Sequence, residues 1–325
     1  GGGTPLLLTV PQLEQLMATA ALFGVHPSHA FTSVETSPEY ADRPRLNVLK
    51  KAGVSRVSIG IQSFQDEELK AIKRRPRQNT IYQALDDIRQ MDFPYFNIDL
   101  IYGIKGQTVE SFLYSLEEAL RFQPNELFIY PLYVRQGTGI TEREPDDVCF
   151  RMYRAACKLL QAKGFLQTSM RRFIHHPSTD AEVSCGDEVM LSCGSGGRSY
   201  LGDLHYATRY TVCQQCIARE IDEYMATTDF TVARNGFILS AKEQQQRFII
   251  KNLMYYMGID KAEYTRRFGE PLDRTPLFRQ LAEQYWIEET PERIRLTPEG
   301  LGYSDYIGQL FITPEIRQLM ETYSY

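Results

Sequence analysis

Two hydrophobic periodicities alternate through the first half of the chain. Leu13, Leu16, Met17, Ala20 and Leu22 recur close to helical spacing and predict a helix over 10–23. An extended run over 30–35 follows and ends in an acid, Glu35. A helix over 43–53 closes on Gly53, a C-terminal stop signal. Then come a strand over 55–61, helices over 66–73 and 80–91, a strand over 95–102, a helix over 109–122 and a strand over 126–133. Regular alternation of helix and strand predicts parallel βα units. Polar residues gather toward the strand ends at Glu35, Gln62, Asp99 and Tyr133. In a parallel βα barrel that rim carries the chemistry, because its loops converge on one mouth.

The second half reads differently. A helix over 144–164 leads to a strand over 166–170, then to a Gly/Ser/Tyr-rich stretch over 184–210 expected to be irregular, then to a helix over 214–226. Helices over 241–257, 260–268 and 274–284 precede short extended runs at 286–290 and 294–297, an order that suggests a winged-helix-like appendage. Three parts are expected: a core over 1–140, its completion and a substrate-facing segment over 141–235, and the appendage over 236–325. The chain opens on three glycines, a turn that would follow a strand lying before residue 1.

Charge narrows the function classes. Among 325 residues, 36 are Lys or Arg and 41 are Asp or Glu, a formal net charge of −5. That balance argues against a protein that coats nucleic acid. No apolar run approaches the ~20 residues a membrane span needs. No leader pattern is visible, so no membrane partner and a cytoplasmic location are expected.

The motifs carry more. Gly1-Gly2-Gly3-Thr4-Pro5, Glu35-x-x-Pro38, Val57-Ser58-Ile59-Gly60-Ile61-Gln62-Ser63-Phe64, Arg74 and Asn97-Ile98-Asp99-Leu100-Ile101-Tyr102-Gly103-x-x-Gly106-Gln107-Thr108 occur in this order. Together they resemble the radical S-adenosylmethionine (SAM) enzymes of the oxygen-independent coproporphyrinogen III oxidase family. The similarity continues through Tyr130-Pro131-Leu132-Tyr133 and, more loosely, Lys251-Asn252-Leu253-Met254.

The resemblance implies an α/β fold: a partial parallel (β/α) barrel of radical SAM type with a C-terminal, mostly helical, winged-helix-like appendage. It implies SAM and a 4Fe-4S cluster as cofactors, a small-molecule substrate such as a tetrapyrrole, and an electron donor such as flavodoxin or ferredoxin. Gly1, Gly2, Gly3 and Thr4 would receive the SAM amino group. Glu35, Gln62, Arg74 and Asp99 match positions that hold the methionine carboxylate and ribose hydroxyls, and Ile101 would lie along the adenine. The residue chemistry agrees, since a guanidinium suits a carboxylate and carboxylates accept from ammonium and hydroxyl donors. Internal salt bridges at Glu35 and Asp99, and a solvated helix end at Arg74, are the alternatives. The family's three closely spaced cluster cysteines would precede Gly1, so the chain as given is expected to be inactive.

Six cysteines stand at 149, 157, 185, 193, 213 and 216. Cys185, Cys193, Cys213 and Cys216 have the number for a Cys₄ metal site, but their spacing matches no standard ligand pattern, and scattered buried thiols are the alternative. The glycine-rich run from Ser192 to Gly202 reads either as a loop or as a surface approaching a substrate, with Arg198, Tyr200 and Arg209 as candidate contacts. The catalytic residues stay unassigned. Three outcomes share the scaffold: porphyrinogen decarboxylation, methyl transfer using a second SAM, and haem handling. A non-catalytic haem-binding or chaperone-like relative, with His175, His176, His205 or a cysteine on iron, is the reading from another class.

Overall fold

The computed structural model describes residues 4–24, 30–75, 77–135, 137–175, 189–209, 211, 214–272 and 275–322. They form two compact units: residues 1–167 with 171–182, and residues 168–170 with 183–325.

Unit 1 runs α1 (Val10–Leu22), β1 (Ser33–Thr36), α2 (Arg43–Lys51), β2 (Arg56–Gln62), α3 (Asp66–Ala71), α4 (Gln78–Met91), β3 (Tyr95–Tyr102), α5 (Val109–Leu120), β4 (Glu126–Pro131), α6 (Asp146–Ala162), β5 (Leu166–Gln167) and β6 (Arg172–Ile174). Its strands form one sheet in the order β1-β2-β3-β4-β6-β5. The pairs β1·β2, β2·β3 and β3·β4 are parallel, as the alternation predicts. Beyond β4 the pairing turns antiparallel, because β5 and β6 are joined by a short reversal rather than a crossover helix.

Strand alternation sorts the side chains. Val57, Ile59, Ile61, Phe96, Ile98, Leu100, Leu127 and Ile129 lie on one face and are all buried. The other face carries Glu35, Arg56, Ser58, Gly60, Asn97, Asp99, Glu126, Phe128 and Tyr130, aligned by the register Glu35↔Ser58↔Asn97↔Glu126 and Gly60↔Asp99↔Phe128. Helices α5 and α6 pack on β3. The α5 start is fixed by a capping box in which Thr108 and Ser111 satisfy each other's backbone N–H groups.

Unit 2 holds β7 (Arg198–Leu201), β8 (Leu204–Ala207), α7 (Gln214–Ala226), β9 (Gly236–Ile238), α8 (Ala241–Leu253), β10 (Ile259–Asp260), α9 (Lys261–Phe268), α10 (Pro276–Glu283), β11 (Ile287–Glu289), β12 (Arg293–Leu296), α11 (Pro298–Gly302), α12 (Ser304–Leu310) and α13 (Pro314–Thr322). The stretch over 184–210 was expected to be irregular, yet β7 and β8 pair as an antiparallel hairpin extended by β9. Its turn is Gly202-Asp203, with Gly202 at φ +65°, the backbone that tight hairpins require. The C-terminal helices enclose β10, β12 and β11 around a core of Phe248, Leu253, Ile259, Ile294 and Ile307. No described helix is long and apolar enough to cross a membrane.

Other boundaries shift for local reasons. The strand expected to reach residue 133 ends at Pro131, which has no N–H to donate. The helix expected to reach residue 257 ends at Leu253, ahead of Gly258 at φ +70°.

Gly300 marks the tightest approach in unit 2, since a Cβ there would lie 2.0 Å from the Trp286 carbonyl oxygen. Trp286 is the chain's one tryptophan, so its fluorescence reports on this unit. Gly300→Ala is expected to lower the urea midpoint read by that fluorescence, by an amount equivalent to ~1–3 kcal/mol of overpacking. An unchanged midpoint would mean that the contact relaxes without cost.

Candidate functional site

The polar face of the unit 1 sheet is held by its own contacts. Glu126, 2% exposed, sits between two arginines. Arg172 Nε donates to Glu126 Oε1 at 2.7 Å, and Arg56 Nε lies 3.0 Å from Glu126 Oε2. The Arg56 guanidinium rests over the Phe128 ring at 5.5 Å, and Tyr130 stacks on Phe128 at 5.7 Å.

Asp99 occupies the middle of this face. The sequence places it at a strand end, but β3 continues for three further residues, to Tyr102. Asn97 Nδ2 donates to Asp99 Oδ1 at 2.7 Å and to Ser58 Oγ at 2.6 Å, and Ser58 Oγ donates to Asp99 Oδ2 at 3.4 Å. Burial pushes the Asp99 carboxyl up to about 6, with a smaller push from Glu35, against the pull of Asn97, Arg56 and Ser58. Burial also raises the Tyr130 hydroxyl, and the charges of Asp99 and Glu35 raise it further. These three groups therefore act on one electrostatic space.

Gln62 ends β2 in a left-handed backbone, φ +72°, just after a register shift between Gly60 and Gln62. Such a conformation costs a non-glycine residue about 1–2 kcal/mol and persists only where surroundings enforce it. A Cβ on Gly60 would lie 2.5 Å from Gln62 Nε2, so the Gln62 amide folds back across Gly60, the register partner of Asp99. The absent side chain at Gly60 makes that cradle.

A second polar cluster braces the loops. Glu68, 5% exposed, accepts from Ser63 Oγ at 2.6 Å, Gln107 Nε2 at 2.8 Å and Ser111 Oγ at 2.5 Å. Gln107 Oε1 in turn accepts from the Gly103 and Ile104 N–H groups at 2.8 and 3.2 Å. The loops after β2 and β3 are thus tied to α3 and α5. Asn97, Glu126 and Glu68 escaped the sequence reading; the signal for the first two was their place on the polar phase of a strand.

Glu35, Gln62 and Asp99 therefore share the polar face, and Ile101 follows Asp99 on it two residues along β3. Arg74 stands apart from them, exposed just beyond α3, its N–H donating to Leu69 O at 2.8 Å. Among the described residues its guanidinium has no hydrogen bond or ion pair. Thr4 starts a short 3-10 turn, whereas Gly1, Gly2 and Gly3 lie outside the described residues.

In unit 2, Arg198 and Tyr200 line a cavity of about 480 Å³, and Arg209 lines a different one of about 700 Å³. Cys193 is exposed and Cys216 half-buried, while Cys185, Cys213 and His176 lie outside the described residues.

Two known domain families match segments of the chain. The radical SAM superfamily matches residues 1–119, and the HemN C-terminal domain matches residues 239–302. The chain thus carries a radical SAM domain followed by a HemN-type C-terminal domain. Its relatives include a heme chaperone, HemW, of Bacillus subtilis (strain 168), 27% identical over 329 residues that cover 95% of this chain and 85% of that protein. The oxygen-independent coproporphyrinogen III oxidase of Escherichia coli (strain K12) is 25% identical over 331 residues, 92% of this chain and 70% of that protein. The solved structure of coproporphyrinogen III oxidase (HemN) from Escherichia coli, a radical SAM enzyme by its title, superposes with a TM-score of 0.78 at 22% identity. It covers 96% of this chain and 76% of that one, and shows the same fold.

Radical SAM proteins use SAM and a 4Fe-4S cluster. The polar face suits the first. SAM presents an ammonium and a ribose diol, all donors, and the face offers the carboxylates of Asp99 and Glu35, the Gln62 amide and a buried acceptor, Asn97 Oδ1, that has no partner among the described residues. For the cluster, the described residues contain no group of three or more His, Cys, Asp or Glu side chains that could hold a metal ion.

Asp99 gives the fold a stability signature. Its folded value near 6 exceeds the ordinary 3.8, so protonation favours the folded state. That contribution is complete below pH 3.8 and lost as the pH rises through 6. Asp99→Asn, which mimics the neutral carboxyl, should raise unfolding stability at pH 8 by on the order of 2 kcal/mol and make no difference near pH 4. Urea unfolding by far-ultraviolet circular dichroism at both pH values checks this.

Proposed function

We propose that the chain is the body of a radical SAM enzyme that acts on a tetrapyrrole, with SAM held on the polar face of unit 1. The observation that carries this reading is the Ser58–Asn97–Asp99 chain of hydrogen bonds beside Glu35 and the left-handed Gln62. With SAM and a 4Fe-4S cluster bound and one electron delivered by an outside donor, radical chemistry for hydrogen abstraction from a porphyrinogen would be supplied by those groups, the cluster's ligands not being among the described residues. The chain's own part is binding and orientation.

Asp99, ionised at pH 7.5, is an acceptor-only group suited to a ribose diol. Asn97 and Ser58 use their donors to fix its two oxygens, so the carboxylate meets its ligand already oriented. Glu35 and Gln62 complete the acceptor set, and Ile101 offers an apolar edge to the adenine. Arg74, a cation with no side-chain partner among the described residues, serves the methionine carboxylate. The tetrapyrrole assignment is supported by relatives named as coproporphyrinogen III oxidase and heme chaperone.

A second reading, haem handling without decarboxylation, is favoured by the heme chaperone of Lactococcus lactis subsp. lactis (strain IL1403), which at 24% identity matches 97% of this chain. The two readings separate on whether added porphyrinogen is consumed with formation of 5′-deoxyadenosine, or haem is bound and returned unchanged.

Isothermal titration with SAM tests the common core. At pH 7.5 Asp99→Asn should weaken SAM binding roughly 10- to 100-fold, as loss of a charge-assisted hydrogen bond implies, and Arg74→Ala should weaken it about 10-fold. Wild-type affinity should fall as the pH drops below 6, when Asp99 protonates and stops being a pure acceptor, and Asp99→Asn should flatten that dependence. Wild-type affinity in both variants would remove the site from this face.

A further inference from the structure

Three of the residues assigned to SAM stand next to the buried cluster around Glu68 without belonging to it. Gln62 is followed by Ser63, which is fully buried and donates from Oγ to Glu68 at 2.6 Å. Ile101 presents its carbonyl to Gln107 Nε2 at 3.2 Å, and the same nitrogen donates to Glu68 at 2.8 Å. Arg74 lies just past α3, the helix that carries Glu68, and its N–H closes on Leu69 O. The end of β2, the end of β3 and the cation beyond α3 therefore converge on one carboxylate.

The backbone at these places needs such a tie. Gln62 holds φ +72°, and Lys73, directly before Arg74, holds φ +58°. Neither is glycine, so each conformation persists only where its surroundings enforce it. Beyond Gln62, the Gln65 N–H donates to Ser63 Oγ at 2.9 Å and the Phe64 N–H to Ser115 Oγ at 3.1 Å. Past Ile101, Gln107 Oε1 takes the N–H groups of Gly103 and Ile104.

Glu68 is a costly residue for a simple brace. It is buried, and among the described residues its partners are the neutral donors Ser63, Gln107 and Ser111, with no cation. Burying a carboxylate is expensive unless donors converge on it. An amide of the same size would turn an NH₂ group toward those donors, whereas a carboxylate accepts from all three. The cost falls where two strand ends must keep fixed places, as a preorganised binding site requires.

We propose that Glu68 is a positioning residue for SAM, setting Gln62, Ile101 and Arg74 in register without touching the ligand. The inference rests on SAM lying on the polar face of unit 1. Ser63 carries the constraint to Gln62, Gln107 carries it to Ile101, and α3 carries it to Arg74. Loosening Glu68 leaves every contact residue present but lets the adenine edge and the methionine-binding cation shift relative to each other.

The test titrates the whole chain with SAM by isothermal calorimetry and follows urea unfolding of each variant by circular dichroism. Glu68→Gln should weaken SAM roughly 10-fold in a chain that still folds. Its affinity should still fall as the pH drops below 6, because Asp99 is untouched. Glu68→Gln together with Gln107→Glu exchanges donor and acceptor across their contact and should restore binding to within about threefold of the unmodified chain. A role in stability alone would lower the urea midpoint and leave the folded variant's SAM affinity unchanged, and that result would overturn the proposal. So would an exchanged pair that folds yet binds no better than Glu68→Gln. If Glu68→Gln does not fold, Ser63→Ala decides, since it removes only the tie to Gln62: a loss of about 3- to 10-fold supports the proposal and unchanged affinity overturns it. Asp99→Asn, run alongside, separates this inference from the reading beneath it. Weakened binding there, with full affinity in the Glu68 and Ser63 variants, removes the role of Glu68 alone. Full affinity in all of them removes the SAM site from this face, and the proposal with it.

Discussion

Unit 1 depends on one arrangement: a buried carboxylate shared by two arginines on the polar side of a parallel sheet. Glu126 joins Arg56 of β2 to Arg172 of β6 and sits on β4, so one ion cluster spans the strands that carry the site. Removing one member of such a buried cluster typically costs about 3–5 kcal/mol, because the remaining charges lose their compensation. The apolar phase of the same strands, from Val57 to Ile129, is where burial drives folding, at roughly 1.5–3 kcal/mol per large side chain. The polar phase is buried as well at Ser58, Asn97 and Glu126, and that burial is tolerable because hydrogen bonds and ion pairs among these residues replace lost water.

Asn97 spends both amide protons on Ser58 and Asp99, which orients the Asp99 carboxylate while leaving Asn97 Oδ1 unpaired. Asp99 is held against its preference to be neutral, and Gln62 against its backbone preference. Both costs fall on the residues expected to touch the cofactor. The Glu68–Gln107 cluster fixes the loops after β2 and β3 through its own hydrogen bonds.

Much of this was legible in the sequence. The strand over 95–102 was read at its true bounds because Ile98 and Leu100 alternate cleanly with Asn97 and Asp99. Glu35, Gln62 and Asp99 were singled out as polar residues on strands, and the structure puts all three on one face. The Glu126 cluster was invisible because it pairs residues 46 and 70 positions away, at Arg172 and Arg56, and no local pattern encodes such a pairing. The hairpin of β7 and β8 was hidden by its composition: glycine, serine and tyrosine read as loop, while its Gly202-Asp203 turn is a hairpin signal. An atom without a partner among the described residues, such as Asn97 Oδ1, cannot be seen without coordinates, since satisfaction of a polar group is a property of its neighbours.

The most direct test of the central claim is hydrogen–deuterium exchange of the whole chain with and without SAM, resolved to short peptides. The account predicts added protection at residues 35–37, 60–64 and 99–104, where the polar face meets its loops, and little change over residues 240–310. Unchanged exchange in all three segments at saturating SAM, or protection confined to the C-terminal residues, would contradict it.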